Sequence, residues 1–191
     1  MKNRKFALVT LLVTVSVLFT VIACNRNIKA STSGYSANST IAEAILVGTK
    51  PDTLVRGKIT FTEKNSVVIM KMEVFIPTKA NQTVALHIHE NGACGDMGKA
   101  AGGHWNPTNQ SHGKWGIASY HLGDIGNFTL DSRGNGIVTM ETNLWAIGGN
   151  GLNNIVGKGI IIHGGLDDYI TQPTGNAGTR IGCGIIAMAK I

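Results

Sequence analysis

The chain has 191 residues, 17 lysines and arginines against 11 acidic residues, and a formal net charge of +6, with 43% hydrophobic and 15% charged residues. Five of those cations (Lys2, Arg4, Lys5, Arg26 and Lys29) lie near the N-terminus, which leaves 12 basic against 11 acidic side chains over residues 42–191. A nearly neutral domain lacks the concentrated basic face that nucleic-acid binding requires, so no nucleic-acid partner is expected.

Lys2, Arg4 and Lys5 open the chain, and an uncharged apolar run over 6–23 follows them, the pattern of an export signal. Val21-Ile22-Ala23-Cys24 resembles the lipobox of bacterial lipoproteins, in which cleavage before the cysteine frees its thiol for acylation. On that reading residues 1–23 are a signal peptide, Cys24 is the lipidated first residue of the mature chain, and 24–41 form a tether. The tether is rich in Ser, Asn and Thr and too poor in apolar groups to bury a core. An uncleaved signal anchor is the alternative, since 18 uncharged residues reach the lower limit of a membrane span. Thr10, Thr14, Ser16 and Thr20 weaken that alternative. Either way the expected location is the bacterial cell envelope, periplasm or surface, with the domain tethered to a membrane.

Residues 42–191 number 150, a common size for one domain with its own core. Val68, Met70, Met72, Val74 and Ile76 alternate with Ile69, Lys71, Glu73 and Phe75, the period of a strand with one buried face, and Pro77 stops it. Met70 and Met72 are read as core filling rather than as a copper thioether pair. Further β-rich runs span 54–62, 84–89, 127–130, 136–142, 159–163 and 184–190, and Asp131-Ser132-Arg133-Gly134-Asn135-Gly136 can close a hairpin. The expected fold is all-β, a Greek-key β-sandwich or flattened eight-stranded barrel. Two long irregular segments, 90–116 and 164–182, interrupt it, and loops of that length are usually functional.

All six histidines, His87, His89, His104, His112, His121 and His163, fall in the C-terminal part of the chain. Neutral imidazole is a common ligand for zinc and copper, so this set with Asp124 suggests more than one transition-metal ion. His87 and His89 flank Ile88 on a strand and project from the same face. An aspartate among imidazoles suits zinc, whereas an all-imidazole set suits copper that changes oxidation state.

The runs LHIHENGACGD, GGHWNP, SHGKWG, YHLGDIGNF, IIIHGGLDD and TGNAGTRIGCGIIAMAKI resemble those of the Cu,Zn superoxide dismutases, in the same order and across residues 42–191. The resemblance implies one copper ion held by His87, His89, His104 and His163, and one zinc ion held by His104, His112, His121 and Asp124. His104 would be shared between the metals and would also carry a proton. Asp167 takes the place of a carboxylate that hydrogen-bonds a ligand of each metal, and Arg180 that of an arginine that orients the anion. The implied reaction converts superoxide to oxygen and hydrogen peroxide through a copper that cycles, with zinc structural. A non-catalytic copper or zinc binding or delivery module on the same fold is the alternative.

With Cys24 assigned to lipid, Cys94 and Cys183 remain as an even pair in an exported domain, so a disulfide is expected. It would enclose roughly 90 residues and stabilise the fold by about 4 to 5 kcal/mol in the chain-entropy view. The second long segment has no lysine pair to steer substrate. Lys99 and Lys114 are the other candidates, with Lys99 read as plain surface. Trp105, Trp115 and Trp145 are read as packing groups. A homodimer is left open.

Overall fold

A computed structural model describes residues 39–190; the signal segment, Cys24 and most of the tether lie outside the described residues. Nine strands form among the described residues: β1 (Thr40–Gly48), β2 (Arg56–Lys64), β3 (Val67–Phe75), β4 (Thr83–His89), β5 (Gly126–Thr129), β6 (Asn135–Thr142), β7 (Gly159–His163), β8 (Arg180–Ile185) and the two-residue β9 (Ala187–Met188). They are ordered β5-β4-β7-β8-β1-β2-β3-β6, with β9 continuing the contact with β1. Every paired neighbour is antiparallel. The sheet curls into a nearly closed eight-stranded barrel, the all-β architecture expected from the alternation. The connections β3–β4 and β6–β7 cross from one half of the strand order to the other, a Greek-key arrangement.

The period-two patterns supply the core. Val68, Met70, Met72 and Val74 of β3 are buried against Ala42, Ala44 and Leu46 of β1 and Ile59 and Phe61 of β2. Met70 and Met72 are therefore core residues. Asn65 and Ser66 both adopt positive φ, 52° and 61°, and join β2 to β3 by a two-residue turn whose twist matches the strands.

The hairpin expected around 131–136 is only half realised. Its turn forms, with Asp131 Oδ1 accepting from the Arg133 and Asn135 amides. The flanking strands, however, pair elsewhere, β5 with β4 and β6 with β3. The cause is packing: a Cβ on Gly136 would stand 2.7 Å from the Phe128 ring and 3.2 Å from Leu130 Cδ2, so core side chains fill the seam that a ladder would close. Three other boundaries differ from the sequence expectation. β1 begins at Thr40, two residues inside the stretch expected to be tether, and no strand was expected over its length. The first irregular segment continues to residue 125, and the second ends at Thr179 because Arg180 opens β8.

Candidate metal centre

β4 is buried along six of its seven residues. Val84, Leu86 and Ile88 point into the barrel core, so period two sends Ala85, His87 and His89 to the outer face. The two long segments cover that face. β7 repeats the logic: Ile160 and Ile162 enter the core while Ile161 and His163 face outward. His104 joins this platform through an isolated bridge to His89, and the Trp105 amide donates to the Ile88 carbonyl (2.9 Å). Strand geometry therefore places three imidazoles on one rigid face and draws a fourth in from the first long segment.

All six histidines, Asp124 and Asp167 are buried. His87, His89, His104 and His163 bring one nitrogen each within 4.8 Å of one another, and so do His104, His112, His121 and Asp124 with one ligand atom each. His104 belongs to both groups. Buried imidazoles normally satisfy both nitrogens, and here the partners reveal which nitrogen is left over. His87 Nε2 donates to Asp167 Oδ2 (2.8 Å) and His112 Nε2 to Asp167 Oδ1 (3.0 Å). His89 Nδ1 donates to the Gly102 carbonyl (3.0 Å), and His163 Nδ1 to that of Gly178 (3.3 Å). Each bond fixes the ring and the nitrogen that donates, and turns the other nitrogen inward, where a metal could take its lone pair.

Four of the inward atoms, His87 Nδ1, His104 Nε2, His112 Nδ1 and His121 Nδ1, have no hydrogen-bond partner among the described residues. The Nδ1 atoms of His112 and His121 lie 3.0 and 3.2 Å from Asp124 oxygens, close but not aligned as hydrogen bonds, as donors converging on one point should be. Orphaned buried lone pairs are costly unless a cation takes them. The donor sets fit two transition metals: four imidazoles in one group, three imidazoles and a carboxylate in the other.

Electrostatics follow from the same contacts. Burial, reinforced by the neighbouring imidazoles, lowers His104 to about 4, although Asp124 pulls the other way. Burial likewise lowers His163 to about 3, and drives His89 well below its ordinary value. Burial opposes a proton on His112 too, but the adjacent carboxylates of Asp124 and Asp167 outweigh it and raise that group to about 9. Burial would raise Asp124, but the His104 imidazole bonded to it and the close imidazoles of His112 and His121 hold it far below the carboxylate range.

The two long segments are locked together at this site. Gln172 Oε1 accepts from the His112 amide (2.9 Å) while its Nε2 donates to the His112 carbonyl (2.9 Å). Gly175, at φ +67°, lies so close that a Cβ would meet Asp167 Oδ1 at 1.9 Å, so only glycine lets this turn press on the Asp167–His112 bond. Cys94 and Cys183 form the expected disulfide across 89 residues, with Cα atoms 5.7 Å apart. It ties the first segment to β8, whose first residue is Arg180. The Arg180 guanidinium donates to the carbonyls of Gly98 (2.6 Å) and Gly102 (2.7 Å), and burial lowers its pKa. Gly102 thus positions both His89 and Arg180.

The expected metal ligands, Asp167, Arg180 and the two disulfide cysteines are brought together in this assembly, whereas Cys24 lies outside the described residues. Gln172 and the glycine carbonyls were not anticipated, since an isolated loop glutamine carries no sequence signal. Lys114 lies over the Tyr169 ring, 5.7 Å from its centroid. Lys99 is exposed, in keeping with its reading as surface, and lines an open cleft with Arg180. Trp105 and Trp145 are buried and Trp115 packs against the core, in keeping with packing roles.

The barrel and its paired donor groups define a class: a β-barrel with two adjacent side-chain groups, sharing one histidine, that could each hold a metal ion. The sequence model of the copper/zinc superoxide dismutase family (SODC) matches residues 55–186, and the chain belongs to that family. Among its relatives, superoxide dismutase [Cu-Zn] 1 of Aquifex aeolicus is 37% identical over 135 residues, covering 68% of this chain and 79% of the relative. The superoxide dismutase [Cu-Zn] of Schizosaccharomyces pombe is 35% identical over 156 residues, covering 78% of this chain and 97% of the relative. The crystal structure of the clock protein EA4 is similar with a TM-score of 0.70 and 27% identity, covering 78% of this chain and 95% of that one. Membership of the family implies copper and zinc as the metals.

Proposed function

We propose that the protein is a copper/zinc superoxide dismutase exported to the bacterial envelope. The observation that carries the reading is the set of buried imidazole nitrogens, four of them unpartnered among the described residues, that converge on two centres joined at His104 beside Arg180. His87, His89, His104 and His163 would hold copper, and His104, His112, His121 and Asp124 zinc. Copper bound there would supply one-electron chemistry, by which one superoxide would leave as oxygen and a second, with the electron and two protons, as hydrogen peroxide.

The chain's own residues then have defined parts. Arg180 binds and orients the anion, and the Gly98 and Gly102 carbonyls keep its guanidinium from swinging away. His104 holds a proton at Nε2 between the two halves of the reaction, with Asp124 restraining its Nδ1 side (2.7 Å). Asp167 sets the tautomers of His87 and His112 together.

The test combines metal analysis of the purified protein with a superoxide-decay assay, using His163→Ala as control. About one copper and one zinc per chain with fast decay, lost in His163→Ala, is expected. The same metal content without activity would favour a binding or delivery module. Arg180→Ile should slow turnover while leaving both metals bound. Equal rates for the two proteins across a salt series would contradict the role of Arg180.

The lipid anchor at Cys24 rests on the Val21-Ile22-Ala23-Cys24 signature, and an uncleaved, unacylated N-terminus in mass spectrometry would overturn it. Pairing of two copies is the remaining part of the proposal. Ile45, Val47, Ile185 and Met188 are exposed on β1, β8 and β9 and offer an apolar surface for it. Sedimentation of wild type against Ile45→Glu decides the matter, a monomer in both ruling this pairing out.

A further inference from the structure

The fold treats the five methionines among the described residues in different ways. Met70 and Met72 are sealed in the core, and Met140 is half-buried against it. Met97 and Met188 are 45% and 49% exposed. Met188, on β9, lies in an apolar groove with Ile45 and Ile185. Met97 lies instead in a cleft of about 230 Å³ that it shares with Arg180.

The backbone fixes Met97 in that setting. Asp96, Met97 and Gly98 follow one another at positive φ, 48°, 52° and 82°. Side-chain-bearing residues seldom enter that region, so two in succession mark a turn held by its surroundings. The Gly98 amide donates to the Gly95 carbonyl (3.0 Å), beside the disulfide at Cys94, and the Gly98 carbonyl accepts from the Arg180 guanidinium (2.6 Å). A Cβ on Gly98 would stand 3.2 Å from Arg180 Cβ, so Met97 is one peptide unit from direct contact with that arginine. Of the five guanidinium N–H groups, the Gly98 and Gly102 carbonyls take one each, which leaves others for a ligand in the cleft. The remaining polar side chains of the cleft, Lys50, Lys99 and Thr179, also carry donors, and no acidic residue lines it among the described residues. A thioether is a weak acceptor, so Met97 leaves those donors free. A strong neutral acceptor at the same position would occupy them.

We propose, resting on the superoxide reading above for the source of the oxidant, that Met97 is a peroxide-responsive modification site whose sulfoxide competes with small anions for Arg180. A lone pair on Met97 Sδ attacks one oxygen of hydrogen peroxide. The O–O bond breaks as the S–O bond forms, the proton on the attacked oxygen passes to the other, and that oxygen leaves as water. Sulfur is oxidised by two electrons and the peroxide reduced by two, giving methionine sulfoxide. The new oxygen accepts from the free Arg180 N–H groups. Anion capture therefore falls as product accumulates, and reduction of the sulfoxide restores it.

The test compares the full chain with Met97→Leu, which removes the thioether at nearly constant volume, and with Met188→Leu, which removes the other exposed one. Each is treated with dilute hydrogen peroxide in the zinc-loaded form, before copper is added, so that reactions of copper with peroxide take no part. Peptide mass spectrometry locates the added oxygen, and unmodified Met70 and Met72 verify that the core stayed closed. After copper loading and metal analysis, azide is titrated as a small anion that binds without turnover. In wild type and Met188→Leu, oxidation should add one oxygen at Met97 and weaken azide by roughly three- to tenfold, the worth of one hydrogen bond given to the competitor. A methionine sulfoxide reductase should reverse the loss. Met97→Leu should bind azide equally before and after treatment. Full oxidation of Met97 with unchanged azide affinity would overturn the proposal, as would an equal loss in Met97→Leu or a Met97 left intact while Met188 is oxidised. A metal-loaded wild type inactive toward superoxide would remove the dismutase reading and its supply of peroxide, whereas the response to added peroxide would still be decided by the azide series.

Discussion

The two metal-binding groups are built from different material. Three of the four residues in the first group, His87, His89 and His163, sit on β4 and β7, strands whose opposite faces are packed into the barrel core. In the second group His104, His112, His121 and Asp124 all belong to the segment between β4 and β5, which has no strand of its own. Strand ligands inherit their spacing from the pleat. Loop ligands must be held by bonds made for the purpose: the Gln172 clamp on His112, the Asp167 bridge, and the Asp124 oxygens that accept from the amides of Gly113 and His121. The first group should therefore be largely preformed by folding, and the second should depend on inter-loop contacts that folding alone does not guarantee.

The largest effect that would sharpen this contrast is expected from Asp167→Ala, because Asp167, itself outside both groups, is bonded to His87 of the first and His112 of the second. Both metals should weaken by roughly 10- to 100-fold. Competition against chelators measures each, and a loss confined to one metal would show that the bridge does not span the groups. Gln172→Ala should act on one side only. Losing both hydrogen bonds to the His112 backbone should weaken zinc roughly tenfold and leave copper unchanged. Gln172→Glu, which keeps only the accepting half, should fall between. Equal weakening of copper would break the distinction between the groups.

The smallest effect concerns the metal-free protein and acid. His104 and His163 are held neutral, with folded values of about 4 and about 3 against an ordinary 6.5. A histidine lowered on folding gives stability that is present above about pH 6.5 and lost as the pH falls toward the folded value. His112, raised to about 9, works in the opposite sense, contributing fully below about pH 6.5 and fading as the pH rises through 9. His89 joins the first set, so acid loss outweighs the gain. The melting temperature of the metal-free domain should drop by several degrees between pH 7 and 4.5. A rise over that interval would contradict the burial of neutral imidazoles.

The same contrast governs what could be read from the residues alone. β3 and β4 were legible because apolar positions recur with period two, and β4 gave the copper-side pair through His87-Ile88-His89. β1 was not legible: Ile41, Ile45 and Val47 on its outer face are exposed, so its sequence lacks the polar alternation that marks a half-buried strand. The ligands were legible by residue type and by resemblance to the family's motifs. What holds them was not. Gly98, Gly102 and Gly178 act through backbone carbonyls, which side-chain identity does not advertise, and Gln172 reaches His112 across 60 residues.

His104 is where the strand-borne and loop-borne halves meet, so metal binding by His104→Ala is the most direct measurement, with His121→Ala beside it. Copper and zinc should both be lost or severely weakened in His104→Ala, whereas His121→Ala should lose zinc and retain copper. Wild-type affinity for either metal in His104→Ala would contradict a shared ligand, and with it the division of the six histidines between two joined centres.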